Sequence, residues 1–219
     1  QEAGMAISLE EVLNKTERKV FLDLQTPARL QAYLDNLPYI AEERNRSPLA
    51  VLQDGQCHCF DGGLLAAAAL RRMGHAPLLV ELWPEPGMDD DHVLALYRVD
   101  GCWGAMAKSN YAGLRFREPI HRNLRELALT YFENFYNLER VKTLRSYTRP
   151  FDLSRVDGLN WETDERGVAV VEKRLHGLRR YPLLTPKMVE RLSPVDERAY
   201  NAGMHGTNIE QSFGRRENP

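Results

Sequence analysis

The sequence predicts an α+β domain built on an antiparallel sheet, and three observations carry that expectation. Capped helix starts fill the first quarter of the chain. A cysteine opens an alanine-rich helix at Cys59. Apolar runs then flank Asp100-Gly101, a strong two-residue hairpin signal. Helices, one special helix, a set of strands and further helices, in that order, make an α+β arrangement rather than alternating βα units.

The elements follow in turn. Ser8-Leu9-Glu10-Glu11 is a capping box and opens a helix to about Leu22, with Leu9, Val12, Leu13, Val20 and Phe21 on its apolar side. Thr26 and Pro27 suit the cap and first position of a second helix through about Leu34, which Asn36-Leu37-Pro38 ends. The helix from Cys59 to Met73 stops at Gly74. Leu78 to Trp83 reads as a strand. His92 to Val99 is a second one, apolar on both faces and so central, and Cys102 to Ser109 is the returning strand. Pro119 is expected to open a long amphipathic helix to about Asn137, and Thr163 to cap a helix from Asp164 to about His176.

A chain of 219 residues suits one domain, here 1–200 with its core at about 53–137, followed by a polar, mobile tail over 201–219. Hydrophobic residues make up 43% and charged residues 27%, enough for an ordinary core. A formal net charge of -2 gives no footprint for nucleic acid or an anionic membrane surface, and no apolar run reaches the ~20 residues of a span. No signal peptide is visible, although the first residue, Gln1, leaves room for a removed leader. Three cysteines do not read as a disulfide framework, so a reducing, cytoplasmic setting is expected.

A thiol nucleophile needs a lowered pKa, a base in reach and a group that orients the base. Cys59 at a helix N-terminus has backbone N–H groups and the helix dipole to favour its thiolate. The small residues of Gly62-Gly63-Leu64-Leu65-Ala66-Ala67-Ala68-Ala69 permit close approach to a sheet. His92, at the start of the central strand, is the candidate base.

Cys59-Phe60-Asp61-Gly62-Gly63-Leu64-Leu65, followed by Leu70-Arg71-Arg72-Met73-Gly74-His75-Ala76-Pro77, resembles the nucleophile helix of the transglutaminase-like superfamily. Asp91-His92-Val93-Leu94-Ala95 resembles that family's histidine strand, and Gly101-Cys102-Trp103 the start of the next; the match covers about 53–110. The resemblance implies a papain-like core and acyl transfer on a peptide or amide, without cofactor or metal. Cys59 would attack the carbonyl, and His92 would take the thiol proton and return it to the leaving amine. The family's third residue, an Asp, is missing. Ser109 or Asn110 would take its place, as the hairpin register decides, with Asn110 preferred as in Cys-His-Asn sites. Gln53, six residues before Cys59, is the candidate oxyanion donor, with Gln56 as its rival.

Plainer readings stand beside these. Cys57 and Cys102 read as core, Gln53 and Gln56 as exposed loop residues, and Asp89-Asp90-Asp91 as a solvated turn that would raise the pKa of His92. His58, His75, His121, His176 and His205 read as structural or solvated. Cys57-His58-Cys59 lacks the spacing of a zinc pair. The missing Asp makes an inactive binding module that keeps the fold the alternative to an enzyme. Nothing in the sequence defines the substrate or the oligomeric state.

Overall fold

A computed structural model describes residues 8–214. The first helix of the sequence reading is two. α1 (Leu9–Val12) ends where Leu13 turns extended, and Asn14 caps α2 (Lys15–Asp23) by accepting from the backbone N–H groups of Thr16 and Glu17. Asn14 therefore satisfies a new helix start where continuous helix was expected. α3 (Pro27–Asn36) begins at its Thr26 cap as expected. A further helix, α4 (Pro48–Asp54), follows the Ser47 cap and stops at Gly55, in the left-handed region at φ 65°.

α5 (Cys59–Arg72) is the central helix, buried from Phe60 to Leu70. It lies across β1 (Leu78–Pro84) and β2 (His92–Val99). β3 (Cys102–Met106) returns along β2 through Asp100 and Gly101, both at positive φ, with Val99 opposite Cys102. The tight two-residue turn is therefore present. β4 (Arg117–His121) pairs with β3, and α6 (Leu124–Leu129) follows its Asn123 cap. The long helix expected over 119–137 is thus a strand, a short helix and a 3-10 turn; Pro119 sits on an edge strand, where a missing N–H is tolerated.

β5 (Leu144–Thr148) and β6 (Phe151–Asp152) both pair with β1, β7 (Arg180–Pro182) pairs with β5, and α7 (Glu165–His176) packs into the core layer that holds α5. Among the described residues the sheet is seven-stranded and antiparallel, in the order β4-β3-β2-β1-β5-β7 with β6 on β1. α8 (Pro186–Val189) and α9 (Glu197–Gly203) complete the helices. The stretch expected as a polar, mobile tail over 201–219 is bonded back to the fold over 208–212. Asn208 and Ser212 bond to Asn110, the Gln211 side chain accepts from the Ala41 N–H, and Ser212 is buried. Residues 215–219 lie outside the described residues. No helix in the described chain is long and apolar enough to cross a membrane.

Side-chain alternation along the strands divides the core into two layers. Leu79, Val93, Ala95 and Tyr97 face α5 and α7. Val80, Leu82, Leu94 and Leu96 face the other way, against Leu127, Tyr131 and Phe135.

Candidate functional site

The N-terminus of α5 is built by polar groups in a dry setting. His58 is the cap, its Nδ1 accepting from the Phe60 N–H at 3.3 Å. Asp61, fully buried, accepts from the Arg46 N–H at 2.7 Å and the His58 N–H at 3.4 Å. Arg46, itself 2% exposed, pairs with Asp54 at 2.9 Å, with Glu42, and with Asp61 at 3.7 Å. Burial pushes the Asp61 carboxyl up to about 7, against the pull of these donors.

Close approach to the sheet depends on two glycines. A Cβ on Gly62 would sit 2.4 Å from the Lys108 Cβ, and one on Gly63 2.9 Å from the Val93 Cγ1. Lys108 continues past β3 under α5, and its buried ammonium donates to the carbonyls of Leu34, at 2.8 Å, and Leu37, at the C-terminal end of α3.

Cys59 is half-buried, and its Sγ lies 3.9 Å from the Asp91 carbonyl. Burial pushes the thiol up to about 12, and the carboxylates of Asp91, Asp61 and Glu81 push the same way. The Val93 N–H works against them without prevailing. The helix-start location was expected to favour the thiolate; desolvation and neighbouring negative charge outweigh it.

The structure does not bring His92 to Cys59. Val93 packs on Gly63 of α5, so the next residue along the strand, His92, points through the opposite face. There its Nε2–H donates to the Leu114 carbonyl at 2.7 Å, and its ring rests against Tyr131 and Phe135 at centroid distances of 6.5 and 6.4 Å. Burial lowers its pKa to about 4, the reverse of the rise expected from the Asp89–Asp91 run. Neither proposed orienter bonds to it. The Ser109 Oγ accepts from the Tyr111 N–H, and Asn110 is engaged by Asn208 and Ser212. Ser109, Asn110 and His92 share only a small recess of about 30 Å³. Gln53 is exposed on α4 and Gln56 half-buried after it; neither lines the cleft beside Cys59. Cys57 is core as expected, whereas Cys102 is half-buried at the start of β3.

A cleft of about 220 Å³ does open beside Cys59. Its wall carries Glu42, Glu43, Asp90, Asp91 and Glu172, with His58 and His176 and no lysine or arginine. Glu81, Asp91 and His176 place one ligand-type atom each within 4.8 Å of one another. Glu81 is fully buried on β1; its Oε2 accepts from the Trp83 Nε1–H at 2.7 Å, and its Oε1 lies 3.0 Å from the His176 Nε2. Glu81 raises the pKa of His176, and burial beside Glu81 raises that of Asp91.

Sequence reasoning passed over this group. The signal was Glu81, a single charge inside the apolar run from Leu78 to Trp83. A fully buried carboxylate in a central strand calls for a partner. The fold and this cleft define an α+β protein with a helix-start cysteine facing an acidic recess. No family model matches the chain, and no curated protein matches it.

Proposed function

We propose that the chain is a transglutaminase-like domain acting as a binding module: it holds a positively charged ligand in the cleft beside Cys59 and does not turn over amides through that thiol. The placement of His92 carries this reading. A base bonded to Leu114 on the far face of the sheet cannot take the thiol proton, and a thiol pushed up to about 12 supplies little nucleophile at neutral pH. The papain-like arrangement of a cysteine-headed helix on an antiparallel sheet then serves as scaffold. Acidic side chains predominate on the cleft wall, even with Glu42 already paired to Arg46, and this favours a cation. Three free thiols support a reducing, cytoplasmic setting.

Alkylation of the full chain by iodoacetamide, with peptide mapping, tests the thiol. Cys59 is expected to label far more slowly at neutral pH than a free thiol of pKa ~8.5. Spermidine titrated by calorimetry tests the cleft, and Glu172→Lys is expected to weaken its binding. Rapid labelling confined to Cys59 below pH 7 would refute the reading.

A second reading rests on His176, which lines the same cleft and has its Nε2 against a carboxylate that could orient it. Acyl transfer through Cys59 with His176 as base would show as amidase or transamidase turnover lost in both Cys59→Ala and His176→Ala.

A further inference from the structure

We infer that Glu81, Asp91 and His176 form a site for a first-row divalent cation, Zn²⁺ foremost, at the floor of the cleft. This deepens the binding reading by naming the cation, and it rests on that reading.

The three side chains come from separate places that the fold brings together: the middle of β1, the turn before β2, and the last residue of α7. Their ligand-type atoms lie within 4.8 Å of one another. A tetrahedral Zn²⁺ with ~2.0–2.1 Å bonds spaces its ligand atoms about 3.3 Å apart, so closing on the ion needs only small side-chain movements. One imidazole and two carboxylates make a donor set suited to Zn²⁺, and three protein ligands leave a position open toward the cleft.

A separate observation points the same way. Glu81 is fully buried, and its Oε1 has an ion-pair contact with the His176 Nε2 at 3.0 Å but no well-aligned hydrogen bond. A buried carboxylate oxygen left without a hydrogen bond is costly. Here it is aimed at the two other ligand groups. Glu81 and Asp91 also bring two negative charges to one desolvated spot, and His176 can offset one of them. A divalent ion would bond to this under-satisfied oxygen and neutralise both carboxylates. Trp83 fixes the rest of the site: its indole N–H holds the other Glu81 oxygen, and its ring meets the His176 ring edge-on at 5.5 Å. Such an outer contact orients the ligands before the metal arrives.

The test is titration of the chelator-treated full chain with Zn²⁺ by calorimetry and with Co²⁺ by visible absorption. One Zn²⁺ per chain is expected, with Co²⁺ d–d bands and no thiolate charge-transfer band. His176→Gln, at an exposed helix end, and Asp91→Asn, each checked for fold by circular dichroism, are expected to weaken binding about 100-fold or more. Glu81→Gln should do the same, with circular dichroism to check its fold. No Zn²⁺ uptake by the wild type at ~100 μM, where a site weaker than about -5.5 kcal/mol goes undetected, would overturn the inference. So would affinity unchanged in both His176→Gln and Asp91→Asn, or a thiolate charge-transfer band placing the metal on Cys57 or Cys59. Zn²⁺ uptake is read directly, so its failure is distinct from the thiol labelling that tests the binding reading.

Discussion

Gly62→Ala sets two forces of opposite sign against each other. Gly62 is in the interior of α5, where alanine is favoured over glycine by ~1 kcal/mol, so helix propensity alone makes the variant more stable. The packing says otherwise. The new methyl would lie 2.4 Å from the Lys108 Cβ, 3.3 Å from its Cγ and 3.6 Å from the Cys57 Sγ. Carbon atoms settle ~3.5–4.0 Å apart, so the helix and the segment after β3 must separate by about 1 Å. The obstructing atom is a Cβ, fixed to the backbone, which places the cost near the upper end of the ~1–3 kcal/mol seen for overpacking. The net expectation is a loss of about 2 kcal/mol, or roughly 4–8 °C in Tm for a chain of this size. Urea unfolding measures it as a lower midpoint at constant m. Gly63→Ala meets the Val93 Cγ1 at 2.9 Å and should also destabilise, but in a Val93→Ala background the obstruction is gone and the propensity gain should emerge. A Gly62→Ala protein as stable as wild type, or more so, would refute the close seating of α5 on the sheet.

Further outcomes follow from the other buried groups. His92 has a folded pKa lowered to about 4, below its ordinary value of ~6.5; its contribution is present above that value and is lost as pH falls toward 4, amounting to about 2 kcal/mol by pH 5. Subtracting the stability profile of His92→Gln from that of wild type isolates this slope, and a difference that does not vary with pH would contradict the buried neutral imidazole. Arg46→Met removes the guanidinium that pairs with Asp61, Asp54 and Glu42 and should lower the urea midpoint, by less than the ~3–5 kcal/mol of a stranded buried charge because Asp61 can take up a proton. Asn110→Ala removes the bonds to Asn208 and Ser212 and should raise amide exchange over 208–212 while leaving β1 and β2 protected.

Much of the frame was legible because it rests on local chemistry. Cys59 does begin a helix, Asp100-Gly101 does make the two-residue turn, and α7 ends at His176. Other local signals were present but went unread. Ser47-Pro48 announces α4, and Asn14 with Glu17 announces a second start inside what read as one helix. At 117–129 the apolar spacing suggested a helix from Pro119, but pairing with β3 claims that stretch and Asn123 starts the helix later. The direction of His92 was beyond reach for a different reason. β2 is apolar on both faces, so its sequence does not say which face meets α5. Alternation ties His92 to Leu94 and Leu96, but only the packing of Val93 on Gly63 decides the side. The same ambiguity hid Glu81 and Asp91, whose meeting with His176 joins residues far apart in sequence.

The return of the chain over 208–212 has a consequence for how the molecule opens. Asn208 reaches Asn110 across 98 positions, and Gln211 reaches Ala41 across 170. These contacts tie the segment to anchor points between α3 and α4 and past β3 through only a few polar bonds. The segment therefore acts as a clasp held by few bonds, and its local opening is expected to cost less free energy than unfolding of the sheet. While open, it uncovers the recess beside His92, whose wall includes Gln211, Ser212 and Phe213. A protease cutting near Gly206 would catch the protein in that state and separate the clasp from a sheet that is still folded.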